Sequence, residues 1–325
     1  MKRYLRLARP FTLLPPLLGI VSGAICAFGS AHNPDLSKRV TWAVVLTVAI
    51  GSLCASAMNA ASNIVNQIAD LEIDRKNKPE RPLVTGEISI ARAWRVAIVL
   101  YVLAIVPTWV VVPYPHTSLA ERLSAPLELH AAFFIYCLGA LATFIYSFPA
   151  FGRTKRHWLA ANVTIAIPRG GLLKVAGWAF VASVAVWEAW AIGAIFALFL
   201  LGAMSTKDFS DMEGDRAHGC ITLPIRFGVR RAARMIAPFF VLPWLLIPLF
   251  AYLPDPDNPS EPLLTGNRPL LVALGVLLAA WGAYAARLLL RNPDELASTE
   301  NHPAWTHMYL LMMAAQVGFA LAYLL

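Results

Sequence analysis

Long apolar runs leave this chain few ways to fold. Nine of them lie at about 10–30, 40–66, 93–113, 130–148, 158–180, 183–204, 235–253, 269–290 and 306–325. A transmembrane helix needs about 20 predominantly apolar residues. Lipid admits only backbone whose polar groups are bonded internally, as in helices or closed barrels. The composition, 58% hydrophobic and 14% charged, is far from a soluble domain, where roughly a quarter of residues are charged. The expected fold is all-α, a polytopic membrane protein of about nine transmembrane helices. No soluble domain fits between the segments, so residues 1–325 form one domain. The 158–180 run is the weakest of the nine, because it contains Arg169 and Lys174. The basic, then apolar N-terminus imitates a signal peptide, but its apolar stretch exceeds the usual ~7–15 residues and is read as the first span.

Charge placement sets the orientation. With a cytoplasmic N-terminus and alternating helices, 21 Lys/Arg fall on the cytoplasmic side and only Lys38, Arg39, Arg122 and Arg268 on the other. That is the positive-inside bias. The expected placement is a multi-pass integral membrane protein with its N-terminus cytoplasmic and its C-terminus opposite. The net charge of +8 reports orientation and anionic lipid or substrate, with no nucleic acid needed. No protein partner is legible. Cys26, Cys54, Cys137 and Cys220 are scattered, without a CxxC pair, and read as packing residues.

The densest charge follows the second apolar run, in NQIADLEIDRKNKPERP from position 66. A solvated interhelical loop would explain one such segment. This one has a twin: aligning 66–75 with KDFSDMEGDR at 207–216 matches Asp70 with Asp211, Glu72 with Glu213, Asp74 with Asp215 and Arg75 with Arg216. Both copies follow spanning segments, the second and the sixth, so both lie on one membrane face. Residues four apart on a helix share a face. Asp70 therefore joins Asp74, and Asp211 joins Asp215, with Asn66 and Lys207 one turn earlier. Such pairs repel each other until a hard cation sits between them. Mg²⁺ is usually held by one or two carboxylates plus substrate phosphates, so two facing pairs suit a diphosphate between metals.

Cations for the diphosphate surround the acids. Arg75, Lys78 and Arg81 follow the first motif, and Lys207 and Arg216 bracket the second. Tyr146, Arg153 and Lys155 stand in YSFPAFGRTKR on the same side. Arg169, well inside a span, is a functional candidate because burying its charge is costly. Structural pairing would serve it equally well. The histidines form no HExxH pattern.

These residues resemble the UbiA superfamily of membrane prenyltransferases. NQIADLEIDRKNKPERPLVTGEIS is similar to its first aspartate motif, KDFSDMEGDRAHGCITLPIRFG to its second, ARPFTLLPPLLGIVSGA to its first helix, and YS…RTKR to its Tyr/Lys element. The resemblance implies a helical bundle around a central cavity whose mouth carries both motifs, and Mg²⁺-dependent transfer of a polyprenyl group from its diphosphate to a lipophilic acceptor. It makes Asn66, Asp70, Asp74, Asp211 and Asp215 the metal residues. Asp208, off the metal-facing stripe, is the candidate on the acceptor's side.

The acceptor is the least legible part. NQ, NKP…PLVTGE and RGGLL resemble the homogentisate branch, so an aromatic quinone-precursor acceptor is the first expectation. The alternatives are a glycerol-phosphate ether lipid, chlorophyllide, or cyclisation of the prenyl chain without an acceptor. A transporter is the remote reading. Transporters favour inverted repeats with midplane sites, whereas this repeat is parallel and interfacial. The D-G-x-x-A-R signature of CDP-alcohol phosphotransferases is absent from the sequence.

Overall fold

The computed structural model describes residues 2–35, 37–113, 118–299 and 302–325. Its main elements are α1 (Pro10–Gly29), α2 (Trp42–Ala69), α3 (Leu71–Asn77), α4 (Ile90–Val110), α5 (Leu127–Ser147), α6 (158–178), α7 (Trp187–Lys207), α8 (Met212–Ala217), α9 (Val229–Phe250), α10 (Arg268–Arg291) and α11 (Pro303–Leu324). Among the described residues eight of these, all but α3, α6 and α8, are long and apolar enough to cross a membrane. The fold is all-α, as expected, and α6 is the exception within the expected nine. It runs as α-helix to Ala166, as a π-helical turn over Ile167–Leu172, and as α-helix again from Leu173. Pro168 supplies the physical reason, since it lacks an N–H and breaks the i→i−4 ladder.

Side-chain caps start several of the long helices. Thr41 accepts from Val44 N–H at 3.3 Å, Ser89 from Arg92 N–H at 3.4 Å and Asn267 from Leu270 N–H at 3.2 Å. The spans pack in a closed ring. α1 touches α2, α6 and α11; α2 touches α4 and α5; α7 touches α6 and α9; and α10 touches α9 and α11. Small residues permit the closest crossings. A Cβ on Gly177 of α6 would stand 2.3 Å from the Ile20 carbonyl of α1, so only hydrogen fits there. Leu46, Leu53, Ile98, Val102, Val276 and Leu277 face outward and exposed, an apolar surface suited to lipid.

The two ends of the bundle differ. At one end Glu188, fully buried at the start of α7, accepts from Ser30 Oγ at 2.5 Å, Thr265 N–H at 2.6 Å and the Tyr323 hydroxyl at 2.5 Å. His32 Nδ1 stands 3.1 Å from it. The ends of α1 and α11 and the loop before α10 are thereby tied to α7. Both aspartate motifs lie at the other end.

Candidate active site

α2 continues past its expected end to Ala69, and its hydrogen bonds run on. Asp70 N–H donates to Asn66 C=O at 2.9 Å, Asp74 N–H to Asp70 C=O at 2.7 Å and Lys78 N–H to Asp74 C=O at 2.7 Å. The helix bends at Asp70 (φ −103°, ψ 13°) and restarts as α3. The second motif repeats the device: Asp211 has φ −96°, ψ 1°, and Asp215 N–H donates to Asp211 C=O at 3.1 Å before α8. In each motif the two aspartates are one turn apart, as their spacing requires.

α3 and α8 pack against each other, and Asn77 joins them. Its Nδ2 donates to Asp211 C=O at 3.2 Å, and its Oδ1 accepts from Gly214 N–H at 3.1 Å. Asn77 is absent from the expected site. Its signal was its place in NKP, directly after the first motif.

Cations stand on the carboxylates. Lys155 pairs with Asp70 and Arg81 with Asp74. Arg153 Nη2 is 3.9 Å from Asp70 Oδ1, and Lys78 and Lys207 are each 3.8 Å from Asp211. Burial pushes the Asp208 carboxyl up to about 8, with the Asp215 charge adding to it. Burial and then Asp211 push Asp215 up to about 6. Asp74 is raised by burial, against the opposing pull of Arg81, and burial lowers Lys155 to about 8. Two expected residues stay away from the cluster. Arg75 is exposed and binds Glu72 at 3.1 Å, and Arg216 is exposed on α8. Both follow the second aspartate by one residue, which turns them about 100° off the aspartate face.

A cavity of about 220 Å³ opens beside this cluster. Its wall at the motif end carries Arg9, Asn66, Tyr146, Arg169, Lys207 and Asp208. Asp208 is the one motif aspartate that lines it. Deeper, α2 adds Asn63 and Asn59, whose amides donate to Thr12 Oγ1 at 2.8 Å and to Thr12 C=O at 2.7 Å. The far wall is apolar, with Ala55, Ile135, Gly139, Leu173, Ala176 and Met312. From Asn66 to Ala55 α2 rises about 16 Å. Arg9, Asn59, Asn63 and Thr12 are further residues of the site that the motifs did not identify. A polar stripe inside an apolar span was the available signal for the two asparagines.

The donor set suits magnesium chemically: hard carboxylate oxygens, crowded enough to raise one another's proton affinity, with ammonium and guanidinium groups where a metal and a phosphate would share the charge. Among the described residues, no three His, Cys, Asp or Glu form a ready-made metal cage. That accords with a metal whose remaining ligands come from substrate phosphate.

The UbiA prenyltransferase family profile matches residues 13–311. The digeranylgeranylglyceryl phosphate synthase of Methanobrevibacter smithii is 26% identical over 98% of this chain and 98% of its own length. A probable homogentisate phytyltransferase 2 of Oryza sativa is 31% identical over 85% of this chain and 68% of its own. Among solved structures, the fold resembles a UbiA homologue of Archaeoglobus fulgidus bound to GPP and Mg²⁺, with a TM-score of 0.60, 20% identity, and coverage of 98% of this chain and 99% of the other. Twin aspartate motifs at the mouth of a membrane cavity and a profile match over nearly the whole chain agree: this chain belongs to the UbiA prenyltransferase family and is an integral membrane prenyltransferase.

Proposed function

We propose that this chain transfers a polyprenyl group from its allylic diphosphate to the glycerol-phosphate end of an ether-lipid precursor, with Mg²⁺ as cofactor and the cavity mouth on the cytoplasmic side. One observation carries the reading. The two aspartate motifs, 141 residues apart in sequence, meet through Asn77 at the mouth of a cavity that ends in apolar walls.

Asp70, Asp74, Asp211, Asp215 and Asn66 would hold magnesium, which when bound supplies Lewis-acid stabilisation of the departing diphosphate. Lys78, Arg81, Arg153, Lys155 and Lys207 turn from their aspartates to the phosphate oxygens. Tyr146 lines the wall beside them. The allylic C–O bond breaks with its electron pair leaving on diphosphate, and the acceptor hydroxyl oxygen forms the new C–O bond. The hydroxyl proton passes to Asp208 Oδ, the motif carboxylate on the cavity wall. The apolar end around Ala55, Gly139 and Met312 solvates the isoprenoid tail and excludes the water that would quench the allylic cation.

The acceptor reading follows the relatives that match end to end. A second digeranylgeranylglyceryl phosphate synthase, from Methanosphaera stadtmanae, is 24% identical over 99% of both chains. This displaces the aromatic acceptor suggested by RGGLL to a second reading, which the 31% identity to the Oryza protein keeps in play. The preponderance of basic residues on the motif side supports the cytoplasmic mouth.

The test is a panel of acceptors (geranylgeranylglyceryl phosphate, homogentisate, chlorophyllide, none) with geranylgeranyl diphosphate and purified full-length protein, read by product mass. The ether-lipid product is expected. Prenylated homogentisate as the sole product would overturn the acceptor assignment, and absence of diphosphate release under every condition would overturn the transferase reading.

A further inference from the structure

Away from the cavity, a second group of cations stands on the outer wall of the bundle. α9 begins and α10 ends at the end that carries the motifs. An open groove of about 700 Å³ runs between them, lined by Val241 of α9 and by Ala283, Ala286, Arg287, Leu290 and Arg291 of α10. The α10 residues follow one helix stripe, spaced i, i+3, i+4, i+7 and i+8. Over about 12 Å of helix axis the stripe passes from small apolar side chains to two guanidinium groups.

A bend in α9 opens the groove. The helix tightens to a 3₁₀ turn over Ala237–Phe240, where Pro238 lacks an N–H, and Val241 follows at φ −117° and ψ −56°. Gly282 lets α10 touch α9 at this bend, since a Cβ there would collide with the Phe240 carbonyl. The next residue on each helix, Val241 and Ala283, lines the groove. At the solvent end, Arg230 donates to Asp294 Oδ2 from Nε at 3.3 Å and from Nη2 at 2.7 Å, which ties the start of α9 to the turn after α10. Arg234, one turn further along the same face of α9, is exposed, as are Arg287 and Arg291. Among the described residues these three make no hydrogen bond and no ion pair.

The groove is amphipathic in the sense that a phospholipid is, with an apolar trough inside the membrane and cations at the depth of the headgroups. A guanidinium binds phosphate oxygens through paired N–H···O bonds, and basic pockets between spans suit anionic headgroups. We infer that the α9–α10 groove is a specific site for one anionic phospholipid. Its phosphodiester sits on Arg287 and Arg291, with Arg234 beside it, and its acyl chain lies over Val241, Ala283 and Leu290. α9 packs on α7, which leads into the second aspartate motif, and α10 packs on α11, which carries Tyr309 and Met312 of the cavity wall. The bound lipid therefore braces helices that shape the cavity without touching either substrate.

The unaltered full-length protein should be compared in detergent with Arg287→Gln/Arg291→Gln, Ala283→Trp and Arg231→Gln. Arg231 lies near the same end of α9 but over the Phe227 ring, 5.5 Å from its centroid, so it controls for general charge. Each protein is titrated with phosphatidylglycerol or phosphatidylcholine, with retained lipid counted by native mass spectrometry and the melting temperature followed in parallel. The unaltered protein is expected to retain one phosphatidylglycerol, roughly tenfold more tightly than phosphatidylcholine, and its melting temperature should rise as the site fills. The double variant should lose about tenfold or more of the phosphatidylglycerol affinity, and the thermal shift with it. Ala283→Trp, which fills the groove and keeps both guanidinium groups, should lose them too, whereas Arg231→Gln should keep both. Full retention by the double variant would overturn the site. An equal loss in Arg231→Gln would also overturn it, leaving only diffuse attraction to a charged face. The same thermal shift with inorganic phosphate alone would overturn the lipid as its occupant. A lipid-independent dimer that the double variant dissociates would give the groove to a second copy of the chain and overturn the inference.

Discussion

Asn77 and Gly214 meet at 3.1 Å, the Gly214 N–H donating to the Asn77 side-chain oxygen, and so tie the first aspartate motif to the second. The Asn77 Nδ2 donates in turn to the carbonyl of Asp211 at 3.2 Å, so the position of a second-motif aspartate depends on a first-motif side chain. Asn77→Ala is expected to lower kcat/KM by about 10–100-fold, as for residues that orient ligating groups, with the protein still in the membrane fraction. Gly214→Ala should act in the same direction, because its Cβ would stand 2.3 Å from the Asn77 Oδ1. Transfer assays on washed membranes, normalised to protein, check both.

The aspartates themselves should be less forgiving. Asp70→Ala and Asp211→Ala each remove one carboxylate of a pair, and with it a counter-charge of Lys155, or of Lys78 and Lys207. Transfer is expected to fall by at least about 100-fold in either variant. Chelation by EDTA should silence the unaltered protein, and excess Mg²⁺ should restore it. Retention of substantial transfer by both variants would count against the shared-metal arrangement.

The apolar end of the cavity should gauge donor length. Nothing lies within 4 Å of a Cβ built on Gly139, so a side chain there projects into free space on the cavity wall. Gly139→Phe is expected to shift preference from geranylgeranyl towards geranyl diphosphate, with little change in melting temperature. Competition between the two donors, read by product mass, measures the shift.

At the opposite end of the bundle stability should depend on pH. The hydrogen bond to Glu188 raises the pKa of His32 above its ordinary 6.5, burial opposes this, and the Glu188, Asp255 and Glu261 charges add to the rise. A raised folded-state pKa contributes stability that is fully present below the unfolded value and is lost as pH rises through the folded one. The melting temperature of the unaltered protein should exceed that of His32→Gln by more at about pH 6 than at about pH 9. An equal gap at both values would refute the linkage.

Much of the architecture was legible in the sequence because membrane spans obey a length rule that needs no knowledge of neighbours. The eight helices that meet it correspond to expected segments, and the segment flagged for Arg169 and Lys174 is the one that carries the π-helical turn. The convergence of Asp70 with Asp74, and of Asp211 with Asp215, was equally local, since a fourfold spacing fixes a shared helix face. Arg75 and Arg216 mark the limit of that reasoning. Proximity in sequence suggested the diphosphate, but helical rotation carries both to the surface, and Arg75 binds Glu72.

The amino-acid sequence alone determined the all-helical membrane class and the paired motifs, because each depends on hydropathy or on spacing along one chain. Tertiary structure alone decided which cation meets which aspartate, that Asn77 bridges the motifs, and that Arg9 and Arg169 line one cavity. Those contacts join residues up to 137 positions apart. They depend on which helix faces form the ring and on irregular backbone at Arg9 and at the π turn, and neither is encoded in the periodicity of any one segment.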